Sequence, residues 1–148
     1  MDLGVRGKTA LITGGSKGIG RAAAESLAAE GCHVILVSRT QAALDAAAEE
    51  IRSRHQVRAR AHAADIAVQG TAEELARRFP EIDILVNNAG AIPGGSLQQV
   101  DGTTWREAWK LKVFGYIDMC RAFYPLLAQR SGVIVNVIGN AAATLDQA

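Results

Sequence analysis

The chain has 148 residues, of which 49% are hydrophobic and 21% charged, with a formal net charge of +1. This composition excludes intrinsic disorder, and the charge gives no electrostatic footprint for nucleic acid or for an anionic membrane. No apolar run reaches the about 18 to 20 residues of a membrane span, no secretory signal is recognisable, and two cysteines are too few for a disulfide framework. We therefore expect a single cytoplasmic domain that does not bind nucleic acid or membranes.

Short β-branched runs alternate with alanine-rich amphipathic runs along the whole chain. The pattern predicts strands over residues 9–13, 33–38, 57–62, 83–87 and 132–138. It predicts helices over residues 18–30, 41–53, 71–79 and 104–129, the third of which Pro80 terminates. Thr40 is placed to cap the second helix, and Thr71 and Thr104, each followed three residues later by glutamate, predict capping boxes at the third and fourth.

Alternation of strands and helices with short connections is typical of a parallel sheet with helices on both faces. The sequence therefore predicts an α/β fold, a Rossmann-type doubly wound sheet with right-handed crossovers, over residues 1–148.

A glycine-rich segment, TGGSKGIG at residues 13–20, joins the first predicted strand to the first helix. Gly14 allows a sharp turn out of the strand, Gly18 allows backbone to approach a pyrophosphate, and Gly20 allows close packing of the helix on the sheet. The start of the helix offers free N–H groups to phosphate. The spacing therefore predicts a dinucleotide site, although a flexible loop is the alternative. The other residues that we assign to this loop are Ser16, Lys17 and Ile19.

The end of the second strand bears on the type of dinucleotide. An NAD site usually has an acidic residue about twenty positions after the glycine loop, where it binds the ribose hydroxyls. This chain has Ser38 and Arg39 instead. An arginine can pair with a 2′-phosphate, and Lys17 adds a second positive charge. We therefore expect NADP(H) in preference to NAD(H), the alternative being that Arg39 is a solvated surface residue.

Several motifs, taken in order and spacing, resemble those of the short-chain dehydrogenase/reductase family over essentially the whole chain. They are TGxxxGIG at residues 13–20, Ala64-Asp65-Ile66, NNAG at residues 87–90, Trp105 with the helix behind it, and GVIVN at residues 132–136. The resemblance implies that Asp65 and Ile66 lie around the adenine and that Asn88, Ala89 and Gly90 lie beside the cofactor. Two local alternatives remain: Asp65 can be a turn residue, and Asn88 can satisfy backbone groups between strands.

The resemblance implies hydride transfer between nicotinamide and a carbonyl or alcohol carbon, helped by a tyrosine, a lysine four residues later, a serine and a relay asparagine. This chain lacks the tyrosine–lysine pair, because Cys120 and Ala128 follow its two tyrosines at that spacing. Gly139 stands in place of the serine and Lys112 in place of the asparagine. We therefore assign no catalytic residue and expect the chain to be inactive alone.

The family's sheet has seven strands, in the order 3-2-1-4-5-6-7, of which five are predicted here. Without further helices, the apolar fifth strand would be a bare edge, which folded proteins avoid. We therefore expect a domain incomplete at its C-terminus, in a natural protein about ten kilodaltons larger.

Two functions remain open at this point. One is an NADP(H)-dependent oxidoreductase, of which this chain is the cofactor-binding part, acting on a small-molecule substrate and assembling as a dimer or tetramer. The other is a non-catalytic dinucleotide-binding or regulatory protein with the same fold. A flavodoxin-like or receiver domain has a suitable length, but the motifs argue against it. We expect the loop at residues 91–97 to cover the substrate side, Trp105 and Trp109 to lie in the core or a subunit interface, and no metal site. The residues expected to serve packing rather than metal binding are Cys32, His33 and Cys120.

Overall fold

The computed structural model describes residues 3–90, 93–96 and 98–139. Five strands form one sheet: β1 (Thr9–Thr13), β2 (His33–Ser38), β3 (Ala59–Ala63), β4 (Ile84–Asn87) and β5 (Val133–Asn136). Five α-helices accompany them: α1 (Gly18–Ala29), α2 (Gln41–His55), α3 (Thr71–Arg78), α4 (Gly102–Trp109) and α5 (Tyr116–Gln129). A π-helical segment, Lys110–Gly115, joins α4 to α5 without a break.

The strands are all parallel and lie in the order β3-β2-β1-β4-β5. The chain moves outwards in one direction from β1 to β3 and then returns to the other side of β1 with β4. This reversal between β1 and β4 is the switch point of a doubly wound sheet, where ligands bind outside the carboxyl ends of the strands. The predicted fold class is confirmed.

Each face of the sheet carries its own hydrophobic core. On β1, Ala10 and Ile12 pack towards α1 and α2, whereas Leu11 between them packs towards α3 and α5. Strands buried on both faces explain why β1, β2 and β4 are nearly continuous apolar runs. Cys32 lies in the α1–α2 core, where burial raises the pKa of its thiol to about 11, as suits a packing residue.

The fifth strand forms one edge of the sheet and is covered on one face only. Ile134 packs against the α3–α5 core, whereas Val133 and Val135 point to the opposite face and are 52% and 44% exposed. The expectation of a bare apolar surface at this strand is confirmed.

The predicted position of one helix cap is confirmed, and the predicted positions of two others are wrong. Thr40 occupies the N-cap of α2, but its side chain makes no capping hydrogen bond. Gly70 caps α3 with φ of +90°, which places Thr71 inside the helix as its first residue. Asp101 caps α4, because its Oδ1 accepts hydrogen bonds from the backbone N–H groups of Thr103 and Thr104, both at 2.9 Å. An aspartate is as good an N-cap as a threonine, and the helix therefore starts earlier.

Other element ends differ by a few residues. The third strand is Ala59–Ala63 rather than 57–62, because α2 continues to His55 and ends at Gln56 in the left-handed region. The fourth and fifth strands and the first helix are slightly shorter than predicted. The long helix expected over residues 104–129 is the composite of α4, the π segment and α5. Within the described residues, none of the helices has the length and hydropathy needed to span a membrane.

Candidate functional site

The glycine loop leaves β1 at the carboxyl edge of the sheet, beside the switch point. Gly14 has φ of +68°, which turns the chain sharply as expected, and its N–H donates to the carbonyl of Val37 on β2 at 2.7 Å. The loop is therefore tied to the second strand before it reaches α1.

The fourth strand holds the same loop from the other side. The Oγ1 of Thr13, fully buried, accepts hydrogen bonds from the backbone N–H groups of Asn88 and Ala89, both at 3.0 Å. The side-chain amide of Asn88 donates to the carbonyls of Thr13 at 3.1 Å and Gly14 at 3.4 Å. Asn88 thus satisfies backbone groups between strands, and its contact with a cofactor stays a prediction.

Gly20 and Gly18 suit their positions in the loop for different physical reasons. A Cβ on Gly20 would lie 2.4 Å from Asn88 Nδ2 and 2.4 Å from the carbonyl oxygen of Gly14, so α1 packs on the loop at backbone distance. Gly18 has φ of +57°, yet a Cβ there would meet nothing within 4 Å. Gly18 therefore leaves open space at the start of α1, as the pyrophosphate interpretation requires.

The first turn of α1 presents its backbone to this space. Lys17 is the N-cap residue, its side chain makes no capping bond, and both Lys17 and Ile19 are exposed. The first N–H groups of a helix have no intrahelical acceptor and carry the positive end of the helix dipole. Ser16 is half-buried beside them.

The carboxyl end of β2 carries a hydroxyl and a cation. The Oγ of Ser38 is covered and has no hydrogen-bond partner among the described residues. Arg39 is exposed, and within the described part of the chain no ion pair or hydrogen bond holds its guanidinium. Both groups are therefore uncommitted at the edge where the sequence predicts the 2′-phosphate.

The segment after β3 is a turn. The Oδ1 of Asp65 accepts a hydrogen bond from the N–H of Ala67 at 3.0 Å, the aspartate turn that was the local alternative. Ile66 is buried in the α3–α5 core and contacts the π segment at Gly115. Contact of either residue with adenine stays a prediction.

A second polar cluster lies beyond β4, towards the substrate side. Lys112 Nζ donates to Tyr116 Oη at 2.7 Å and to the carbonyl of Val137 at 2.6 Å, and Tyr116 Oη donates to the same carbonyl at 3.0 Å. The side chain of Lys112 lies against Gly90, where an added Cβ would be 2.6 Å from its Cδ. Burial lowers the pKa of Lys112 and raises the pKa of Tyr116 to about 12.

The carboxyl ends of β4 and β5 are joined by side-chain amides. Asn87, fully buried, donates to Asn136 Oδ1 at 2.9 Å and to Cys120 Sγ at 3.3 Å. Cys120 thus serves packing and hydrogen bonding. No group of three His, Cys, Asp or Glu within residues 3–90, 93–96 and 98–139 could hold a metal ion.

Sequence reasoning missed two of these arrangements. The role of Thr13 as the acceptor for β4 was not assigned, although a threonine at the end of a buried apolar strand needs such partners. The contact of Lys112 with Tyr116 was also missed, although residues four apart on a helix are neighbours. Gly139 is exposed. Residues 91, 92 and 97 of the predicted substrate loop, and Asn140 and Thr144 beyond it, lie outside the described residues.

Comparisons with known proteins agree on one family. The sequence model of the short chain dehydrogenases matches residues 8–145. The 3-oxoacyl-[acyl-carrier-protein] reductase FabG of Aquifex aeolicus is 32% identical over 93% of this chain and 57% of its own length. L-sorbose reductase from Gluconobacter frateurii, solved with NADPH and L-sorbose, has a TM-score of 0.89 and 33% identity over 97% of this chain and 56% of that one.

A third similar structure is the alcohol dehydrogenase from the archaeon Thermococcus sibiricus in complex with 5-hydroxy-NADP. It has a TM-score of 0.86 and 28% identity over 93% of this chain and 60% of that one. The chain spans about half the length of the curated relatives that it matches.

Proposed function

Since the chain belongs to the short-chain dehydrogenase family, we propose that it is the cofactor-binding part of an NADP(H)-dependent oxidoreductase. When bound, the reduced cofactor would donate a hydride from its nicotinamide ring to a carbonyl carbon, and the oxidised cofactor would accept one from an alcohol carbon. The observation that carries the proposal is the pair of uncommitted groups after β2, where Arg39 has no ion pair among the described residues and Ser38 Oγ has no hydrogen-bond partner. A 2′-phosphate provides acceptors for both.

The glycine loop fits the pyrophosphate of such a cofactor. The space beside Gly18 and the free N–H groups of the first turn of α1 form an anion site. The loop is held in place because the N–H of Gly14 donates to the carbonyl of Val37 and the side-chain amide of Asn88 donates to the carbonyl of Thr13. The loop therefore meets the phosphates without first having to be ordered. Crystals of two similar enzymes with NADPH or an NADP analogue support the choice of cofactor.

The proton-transfer group of the reaction is not assigned to the described tyrosines. The hydroxyl of Tyr116 donates a hydrogen bond to the carbonyl of Val137. Burial raises the pKa of Tyr116 to about 12, so the phenol stays protonated at neutral pH. A tyrosine that exchanges a proton with substrate needs the opposite shift. Tyr124 is 66% exposed on α5.

Cofactor preference tests the proposal directly. We expect NADPH to bind at least tenfold more tightly than NADH in calorimetric titrations, because an arginine–phosphate pair contributes about 1.5–3 kcal/mol. Arg39→Ala should remove most of that difference by weakening NADPH alone. Arg58→Ala is the matched control, since Arg58 is also exposed but lies at the amino end of β3, the far edge of the sheet. Equal affinities for NADPH and NADH, or unchanged NADPH binding by Arg39→Ala, would overturn the assignment.

A non-catalytic dinucleotide-binding protein is the second candidate. Lys112 and Gly139, which replace the family's relay asparagine and serine, favour it. Turnover distinguishes the oxidoreductase from the non-catalytic protein. The full-length protein is incubated with NADPH and a panel of ketones, aldehydes and quinones, and the absorbance of NADPH is followed. Oxidation of NADPH supports the enzyme, and tight binding without turnover supports the second candidate.

A further inference from the structure

Lys112 is a cation fixed at the carboxyl edge of the sheet. Its ammonium donates one hydrogen bond to Tyr116 Oη and one to the carbonyl of Val137, which follows β5. Its methylene groups lie against Gly90, which follows β4. An ammonium has three donors, so one N–H remains after these two bonds.

The charge of Lys112 has no counter-ion among the described residues. Both partners are neutral, because a carbonyl carries no charge and the raised pKa of Tyr116 keeps its phenol protonated. The carboxylates that form ion pairs in the described chain lie with other cations; Glu107, for example, pairs with Lys110. A half-buried charge without a counter-ion has stronger electrostatic interactions with nearby charges than an exposed charge has, because water screens it less.

The backbone around Lys112 is shaped to hold it there. The residue lies in the π segment, whose wider turn interrupts the α4–α5 helix, and such segments are frequent at functional sites. Gly115 lets this segment approach the turn after β3, since a Cβ would lie 3.2 Å from the carbonyl oxygen of Ile66. Gly90 leaves the space that the lysine side chain fills.

We propose that Lys112 makes the site discriminate between the two redox states of the cofactor and favour the reduced one. The inference rests on the proposed function, which assigns the 2′-phosphate to Arg39 and the pyrophosphate to the glycine loop. A dinucleotide that lies in this way across the switch point extends its nicotinamide half towards the ends of β4 and β5, where Gly90 lies. The oxidised ring carries one positive charge and the reduced ring none, whereas the phosphates are the same in both. A fixed cation on this side of the switch point therefore disfavours the oxidised form alone, so the protein retains NADPH more tightly than NADP⁺.

The test is the ratio of two dissociation constants, Kd for NADP⁺ over Kd for NADPH, measured by calorimetry without any substrate. We expect Lys112→Met to lower this ratio by about tenfold, chiefly by tightening NADP⁺, since unit charges several ångströms apart near a protein surface interact by more than RT. Lys110→Met is the matched control: Lys110 lies two residues away in the same π segment, is exposed, and pairs with Glu107. It should leave the ratio unchanged.

A second variant keeps the test decisive if Lys112→Met fails to fold. Lys112→Arg retains the charge and should retain the ratio, whereas Lys112→Gln retains a donor but no charge and should lower it. An unchanged ratio in the neutral variants, with both cofactors still bound, overturns this inference and leaves the proposed function intact. Failure of the unaltered protein to bind either cofactor overturns both.

Discussion

Replacing Gly20 with alanine should separate the glycine loop from the fourth strand. The new Cβ would lie 2.4 Å from Asn88 Nδ2 and 2.4 Å from the carbonyl oxygen of Gly14, where ordinary contacts are 3.4–4 Å. The Asn88 side chain can rotate away, but it then gives up its bonds to Thr13 and Gly14. The Gly14 carbonyl is backbone and can move only with the loop.

The cost follows from these contacts. Overpacking a close contact typically costs about 1–3 kcal/mol, and losing the Asn88 bond costs about 1 kcal/mol more. Alanine in place of glycine within a helix returns about 0.5–1 kcal/mol. The free energy of unfolding should therefore fall by about 2 kcal/mol. With a urea m-value of about 2 kcal/mol/M, the midpoint of unfolding should fall by about 1 M.

Urea titrations followed by far-UV circular dichroism measure this shift. Gly102→Ala is the matched control, because Gly102 also lies in the first turn of a helix and its Cβ would meet only the flexible end of Arg106 at 3.0 Å. It should change the midpoint by less than about 0.3 M. An unchanged midpoint for Gly20→Ala, or an equal loss in both variants, would refute the reasoning.

Three further predictions concern stability and assembly. Hydrogen bonds and charge interactions with His55 and Arg54 hold the pKa of the Glu25 carboxyl below its usual range. Its contribution to stability is therefore full above the usual pKa of a glutamate and is lost as the pH falls through the lowered pKa. The gap in unfolding free energy between wild type and Glu25→Gln should close on acidification, and a gap that stays constant from pH 7 to pH 3 would contradict this. Asp83 accepts hydrogen bonds from the N–H of Thr9 at 2.9 Å and from Arg130 at 3.1 Å, so Asp83→Asn should lower the melting temperature by several degrees, and an unchanged melting curve would show that these bonds contribute nothing. We propose that the expected dimer or tetramer forms through the outer face of the π segment and α5, which exposes large apolar side chains. Phe114→Glu should then reduce the sedimentation coefficient, and a monomeric wild type would exclude the proposal.

The parallel sheet with helices on both faces followed from the sequence because strands and helices alternate with short connections, whereas the order of the strands followed from the family resemblance. Buried parallel strands read as continuous apolar runs, and the reversal between β1 and β4 follows from the resemblance carried by the glycine loop and NNAG. The ends of the helices were predicted less well. Gly70 and Asp101 cap their helices in place of Thr71 and Thr104, since several neighbouring residues can each cap and the packing of the helix selects one.

The sequence predicted which positions belong to the site, but it did not predict which side chains contact one another there. Gly14 was assigned correctly to a turn, whereas Gly20, expected to pack on the sheet, packs on Asn88 and on the carbonyl of Gly14. The π segment was not predicted, because one extra residue in a turn leaves the apolar spacing of residues 104–129 almost unchanged. The hydrogen bond from Lys112 to the carbonyl of Val137 joins residues 25 apart, which no local pattern records.

The bonds between Thr13 and the segment after β4 also have a consequence for how the protein is made. They join residues 75 and 76 positions apart, so the loop that they close spans half the chain. Closing so long a loop is entropically costly and follows the formation of local structure. During synthesis the N-terminal glycine loop therefore stays unfinished until β4 and the NNAG segment have left the ribosome. A nucleotide bound at this loop, as we propose, can stabilise the nascent chain only after that point.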